Sequence, residues 1–305
     1  MPDLPVIPVI CGPTGSGKTA VSLEFARDRA IEVVSADSRQ VYRYLNIGTA
    51  KPPGDEQGIA PVHCIDLIEP GQRYSAYQYL ADAEASIRAI FEHQHLPVVV
   101  GGTGLYIQAL IEGVVAMDDP DPSLRERLEA EMEELGAARM HARLSEIDPR
   151  EASRIHPNNR VRVIRALEIC EATGICKSEL LESGGYRKLK YEFETYCLLP
   201  PREAVYRAIE ARVDRMMAEG LLKELQALVE AGRGEAIRRS RVIGYAELLD
   251  VLERNVPVDE AVAAIKQNTR RFAKRQITWF RNQLEGRFFA DSAALLRELL
   301  KDYPK

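Results

Sequence analysis

The stretch Gly12-Pro13-Thr14-Gly15-Ser16-Gly17-Lys18-Thr19 fits the pattern G-x-x-x-x-G-K-[ST]. A loop that turns its backbone N–H groups toward phosphates needs glycines that can take positive φ, a strand before it and a helix after it. Both flanks are present. Val6 to Cys11 is a short apolar run, and from Thr19 to Arg29 the residues Val21, Leu23, Phe25 and Ala26 recur at helical spacing. The helix N-terminus adds a partial positive charge and Lys18 a full one, so the loop suits two adjacent phosphates. Thr19 is placed to ligate the Mg²⁺ that a diphosphate brings. Nothing in this chemistry specifies a nucleotide.

The elements that follow extend the same architecture. Ile31 to Ser35 reads as a second strand, Ala76 to Glu92 as a helix, and Leu96 to Val100 as a third strand bounded by Gly101 and Gly102. Strands alternating with helices predict a parallel sheet covered on both faces. Residues 118–188 are helical and highly charged, entered through Asp119-Pro120-Asp121-Pro122 and left through Gly184-Gly185. Tyr191 to Leu199 returns as a strand, and from Pro200-Pro201 the periodicity is helical almost to the end. The expected fold is α/β: a P-loop NTPase-like parallel sheet core from residues 1–117 and 189–305, with a helical insertion at 118–188 and a helical C-terminal region.

Composition excludes several classes. With 46% apolar and 29% charged residues over 305 positions, the chain is neither disordered nor fibrous. The first residues carry no basic n-region, and no apolar run approaches the roughly 20 residues of a membrane span, so a cytoplasmic protein with no membrane association is expected. Five cysteines without a C-x-x-C pair signal neither a disulfide framework nor a zinc ribbon, and they read as core thiols. A net charge of −5 argues against a generally basic nucleic-acid binder. Arg150, Arg154, Arg160, Arg162 and Arg165 nevertheless face one acid, Glu151, and residues 266–287 hold seven basic residues against Glu285 alone. Two such runs in an acidic chain point to RNA, with plain solvated faces as the alternative.

Phosphate-hydrolysing P-loop enzymes hold Mg²⁺ with an aspartate at the tip of an apolar strand. Here Val98-Val99-Val100 runs instead into Gly101-Gly102-Thr103-Gly104. A carboxylate does end the second strand: Asp37 follows Val33-Val34-Ser35-Ala36 at the carboxyl edge of the sheet, where ligands of such folds bind. Asp37 is the general-base candidate, with a helix N-cap as its other reading. Ser38, Arg39 and Gln40 beside it offer donors and acceptors suited to the edge of a heterocycle.

Seven stretches together resemble the tRNA dimethylallyltransferase (tRNA isopentenyltransferase) family: GPTGSGKT at Gly12 to Thr19, SADSRQVY at Ser35 to Tyr42, GTAKP at Gly48 to Pro52, GGTGLY at Gly101 to Tyr106, RIHPNNRVRVIRALEI at Arg154 to Ile169, VIGYAEL at Val242 to Leu248 and TRRFAKRQITWFR at Thr269 to Arg281. The resemblance spans nearly the whole chain. It implies transfer of a dimethylallyl group from dimethylallyl diphosphate to N6 of the adenosine adjacent to the tRNA anticodon, with Mg²⁺ as cofactor. Asp37 would be the base, and Gly12, Pro13, Thr14, Gly15, Ser16, Gly17, Lys18 and Thr19 would hold the diphosphate. Arg212, which by itself reads as a solvated helix arginine, matches the family arginine facing the bridging oxygen. Positions touching tRNA would be Asp37, Ser38, Arg39, Gln40, Thr103, Arg125, Val161, Arg162, Val163, Ile164, Arg165, Arg271 and Lys274.

Two positions depart from the family pattern. A histidine pair is here Val62-His63, and an arginine near Arg212 is Ala208. With no Cys or His after Cys197, the chain matches the compact bacterial type, and a monomer is expected. Two rivals stay open on the residues alone: a small-molecule kinase, which the P-loop and Asp37 would also serve, and a non-catalytic RNA-binding protein. Phe272, Trp279 and Phe280 read as a core stripe of an amphipathic helix rather than as base-stacking residues.

Overall fold

The computed structural model describes residues 6–115 and 122–304. The boundary expected at 117/118 and the residues Asp119 to Asp121 lie outside them. Eight strands occur among the described residues: β1 (Ile7–Cys11), β2 (Ile31–Ala36), β3 (Val62–His63), β4 (Leu96–Gly101), β5 (Val114–Val115), β6 (Tyr186–Arg187), β7 (Phe193–Leu198) and β8 (Arg287–Phe289). Six of them form one sheet in the order β3-β2-β4-β1-β7-β8, and every neighbouring pair in it is parallel. Val9 pairs with Val99 on one side and Thr195 on the other. All residues of β1 and β2 are buried, which is why these strands read as continuous apolar runs rather than alternating ones.

All parallel strands end at one edge of the sheet, and the loops leaving β1, β2 and β4 meet there. One core cluster joins Ile10, Phe25, Val33, Val100, Tyr196 and Leu295, packing the helices Lys18–Asp28 and Ser292–Asp302 on the sheet. A second gathers Leu45, Val205, Ile209, Tyr245, Leu248 and Ile265 and roots the C-terminal helices. These include Arg202–Ala218 and the 26-residue helix Val258–Gln283, both of which reach the site.

The chain divides into two compact units, one running to Ile111 and resuming at Lys190, the other Glu112–Leu189. The second unit packs Leu128, Met132, Met140, Leu144, Val163 and Leu167 from three helices into its own core. It is not wholly helical, because β5 and β6 pair antiparallel within it.

Two strands of the main sheet escape the sequence reading because of their length. β3 has two residues, and β8 has three in a stretch that reads as helical. The β8 segment is fixed by Arg287, whose guanidinium bonds Glu194 at 2.6 Å, Glu298 at 2.8 Å and Asp302 at 2.6 Å and lies over the Tyr196 ring. These tertiary contacts override local helical preference. All five cysteines are free thiols, four of them buried. Among the described residues no helix is long and apolar enough to cross a membrane.

Candidate active site

The P-loop lies where the sequence puts it, between β1 and the helix Lys18–Asp28. Gly15 and Gly17 take φ of 77° and 98°, in the left-handed region that side chains resist. Gly12 is held by proximity as well: a Cβ there would lie 2.3 Å from the carbonyl oxygen of Leu198. Lys18 folds back over the loop and donates from Nζ to the Pro13 carbonyl at 2.8 Å. Burial, the largest influence, lowers its pKa to about 8; Arg212 adds to the depression and Asp37 opposes it.

Arg212 reaches the same place from the helix Arg202–Ala218. It is not a solvated helix arginine: it lines the cavity with Lys18 and donates to the Thr14 hydroxyl at 3.4 Å and to the Thr49 carbonyl at 3.5 Å. Burial lowers its pKa too, again against the pull of Asp37. Desolvation destabilises both cations, and one carboxylate is shared between them. An anion restores the balance, so this end of the cavity selects anions.

Asp37 follows β2 and caps no helix. Its Oδ1 accepts from the Arg39 backbone N–H at 2.8 Å, which orients the carboxylate in a tight turn. No protein donor meets Oδ2 among the described residues. The turn is held by Thr103, whose Oγ1 accepts from the Ser38 N–H at 2.9 Å. Gln40 turns inward, accepting from the Ser35 hydroxyl at 2.8 Å and donating to the Ala50 carbonyl at 3.0 Å. Arg39 donates to the Ser240 carbonyl at 3.1 Å. Glycines at the tip of β4 permit these approaches: a Cβ on Gly101 would fall 2.2 Å from the Ala36 carbonyl oxygen. A carboxylate at that strand tip is therefore sterically excluded as well as absent.

Thr14, Lys18, Thr19, Asp37, Gln40 and Arg212 all line one cavity of about 660 Å³. Its wall also carries Leu23, Val33, Val62, Val100 and Met216, so it joins a cationic end to an apolar surface. The Thr19 hydroxyl meets no protein partner among the described residues, which fits an oxygen ligand for Mg²⁺.

The remaining positions divide. Arg271 and Lys274 are exposed on the helix Val258–Gln283 and have no ion-pair partner among the described residues, whereas neighbouring Arg270 bonds Glu210 at 2.6 Å. Phe280 is fully buried and Trp279 packs edge-on against it, as a core stripe does. In the second unit Val161 and Arg162 are exposed, and Arg165 pairs with the buried Glu168 at 2.6 Å. Arg125 is held by Glu129 at 2.9 Å and by Glu168. Val163 and Ile164 are buried in that unit's core, so as side chains they cannot meet an RNA; alternate faces of one helix put them inside.

The sequence reading passed over Arg215, Thr49, Lys51 and Gln276. Lys51 is a buried ammonium bonded to Asp66 at 2.6 Å and to Asn46 at 3.1 Å. Gln276 is the one with a sequence signal: a polar residue on the apolar stripe Ala273, Ile277, Phe280 of its helix.

The family described as IPP transferase matches residues 40–283, and the one described as Isopentenyl transferase matches residues 5–61. A relative from Pelobacter propionicus, tRNA dimethylallyltransferase 1, is 45% identical over 279 residues, covering 92% of this chain and 90% of that protein. The chain belongs to the tRNA dimethylallyltransferase family. Among solved structures, the tRNA isopentenylpyrophosphate transferase of Bacillus halodurans shares 38% identity with a TM-score of 0.65, covering 97% of this chain and 98% of that one. A eukaryotic dimethylallyltransferase, described as acting on tRNA, superposes with a TM-score of 0.77 at 29% identity, covering 91% and 70%. The IPP transferase match begins at Gln40, so the P-loop, Asp37 and Arg39 fall within the Isopentenyl transferase match alone.

Proposed function

We propose that this protein transfers the dimethylallyl group of dimethylallyl diphosphate to N6 of the adenosine adjacent to the anticodon of tRNAs, giving N6-isopentenyladenosine. The observation that carries this is the single cavity in which Lys18 and Arg212, both destabilised by burial, face the Asp37 carboxylate. The bond between the allylic carbon and the bridging oxygen breaks, a carbon–nitrogen bond forms at N6, and the amine proton leaves. Asp37 Oδ2 takes that proton; a neutral aromatic amine is a poor nucleophile until the proton begins to depart. Lys18, Arg212 and the P-loop from Gly12 to Thr19 stabilise the diphosphate as negative charge grows on it. Mg²⁺ held by Thr19 and the diphosphate would supply further charge to the leaving group.

The target base has to leave its stack to reach a carboxylate inside a cavity. Ser38, Arg39 and Gln40, which follow that carboxylate in its turn, and Thr103, which braces the turn, would meet the base edge. The exposed Arg271 and Lys274, together with Val161, Arg162 and Arg165 on the second unit, follow the tRNA backbone. The enzyme works in the cytoplasm as a monomer.

The steric exclusion of a carboxylate at the tip of β4 disfavours the kinase reading. Pyrophosphate release is the test. It is expected only when dimethylallyl diphosphate, Mg²⁺ and tRNA are all present; tight binding of ATP with transfer of its labelled γ-phosphate overturns the proposal.

A further inference from the structure

Gln276 sits nine-tenths buried on the helix Val258–Gln283, and both ends of its carboxamide are used. Oε1 accepts from the backbone N–H of Thr14 in the P-loop at 2.9 Å, and Nε2 donates to the carbonyl of Gly102 at the end of β4 at 2.7 Å. A Cβ on Gly102 would lie 2.6 Å from that Nε2, so the glycine admits the amide. One turn along the same helix, Trp279 covers Gly104, where a Cβ would fall 2.5 Å from the indole. Between those two anchors stands Thr103, which holds the Ser38 N–H and through it the turn of Asp37.

From this geometry we propose that Gln276 is a positioning residue: one amide sets the register between the loop that holds the leaving group and the loop that carries the base. The inference rests on the prenyl-transfer reading. Its consequence is specific, because both ends of the amide are taken by the backbone of Thr14 and Gly102. Losing it leaves each loop able to bind its own ligand but shifts one against the other. Misplacement on the scale of an ångström costs the chemical step about 10²-fold.

The same helix bears Arg271 and Lys274, five and two residues before Gln276. Phosphate contacts there are transmitted to both loops through a short rigid lever, so tRNA binding and the geometry of the reaction share one element.

The experiment measures steady-state transfer of label from dimethylallyl diphosphate to tRNA by parent, Gln276→Ala and Gln276→Glu. Gln276→Ala is expected to lower kcat about 10²-fold while the KM for each substrate changes by less than about threefold. Gln276→Glu keeps the acceptor for Thr14 and loses the donor to Gly102 at neutral pH. Protonation of the new carboxyl restores that donor, so its activity relative to parent rises as pH falls. A kcat within threefold of parent in folded Gln276→Ala overturns the proposal. If the alanine variant does not fold, a ratio of Gln276→Glu to parent that is flat with pH overturns it equally. A parent that labels no tRNA removes the prenyl-transfer reading and this inference with it, whereas an active parent with an equally active alanine variant removes this inference alone.

Discussion

The depressed pKa of Lys18 makes diphosphate binding depend on pH in a way that can be worked out beforehand. In the free protein the ammonium is buried beside Arg212 and loses its proton around pH 8. The bound anion stabilises the ammonium and raises its pKa, so binding at higher pH takes up a proton. With a pKa of about 8, the protonated fraction in the free protein is about 0.9 at pH 7, 0.5 at pH 8 and 0.1 at pH 9. Affinity for the fully ionised form of dimethylallyl diphosphate should therefore fall about tenfold from pH 7 to pH 9. Near pH 8 binding should take up about half a proton. Isothermal titration at pH 8 in buffers of different ionisation enthalpy reads that uptake directly, and Lys18→Met should abolish it. Uptake near zero in the parent, or the same uptake in parent and variant, refutes the reasoning.

Asp37→Ala should lower the single-turnover transfer rate roughly 10²- to 10⁴-fold with tRNA affinity nearly kept, and equal rates would remove Asp37 from the mechanism. Arg271→Ala and Lys274→Ala should each weaken tRNA binding and reduce its salt slope by about 0.7 to 0.9, while Arg270→Ala, already paired with Glu210, should leave the slope alone. Equal slopes in all three would mean that Arg271 and Lys274 face only solvent. Gly101→Ala, whose new methyl would meet the Ala36 carbonyl, should cost about 1–3 kcal/mol of stability by denaturant unfolding, and an unchanged midpoint would contradict the close approach of β2 and β4.

The central sheet was legible because its strands are buried on both faces and so write themselves as apolar runs, with glycines marking where backbone approaches backbone. The P-loop and Asp37 were legible for a related reason: each sits at a strand tip, and strand tips in a parallel sheet share one edge. Arg212 was not legible from its helix, since a charged residue on a charged helix looks solvated until the helix is docked over the P-loop. β8 was hidden by its length and by an ion pair from Arg287 to Glu194, 93 positions away. Val163 and Ile164 show the limit of carrying a contiguous motif across: a helix alternates faces, so a run of five residues cannot all meet one partner. Gln276 left a trace, as a polar residue where the helical period demands an apolar one, and only the folded chain shows that its partners are Thr14 and Gly102.

The most direct measurement supplies the protein with dimethylallyl diphosphate labelled in its organic group, Mg²⁺ and bulk tRNA, then digests the RNA and identifies the labelled nucleoside. A cation-lined diphosphate site facing a base predicts label in N6-isopentenyladenosine and in no other nucleoside. Unlabelled tRNA, with a phosphoryl group passing from ATP to a small molecule instead, would contradict it.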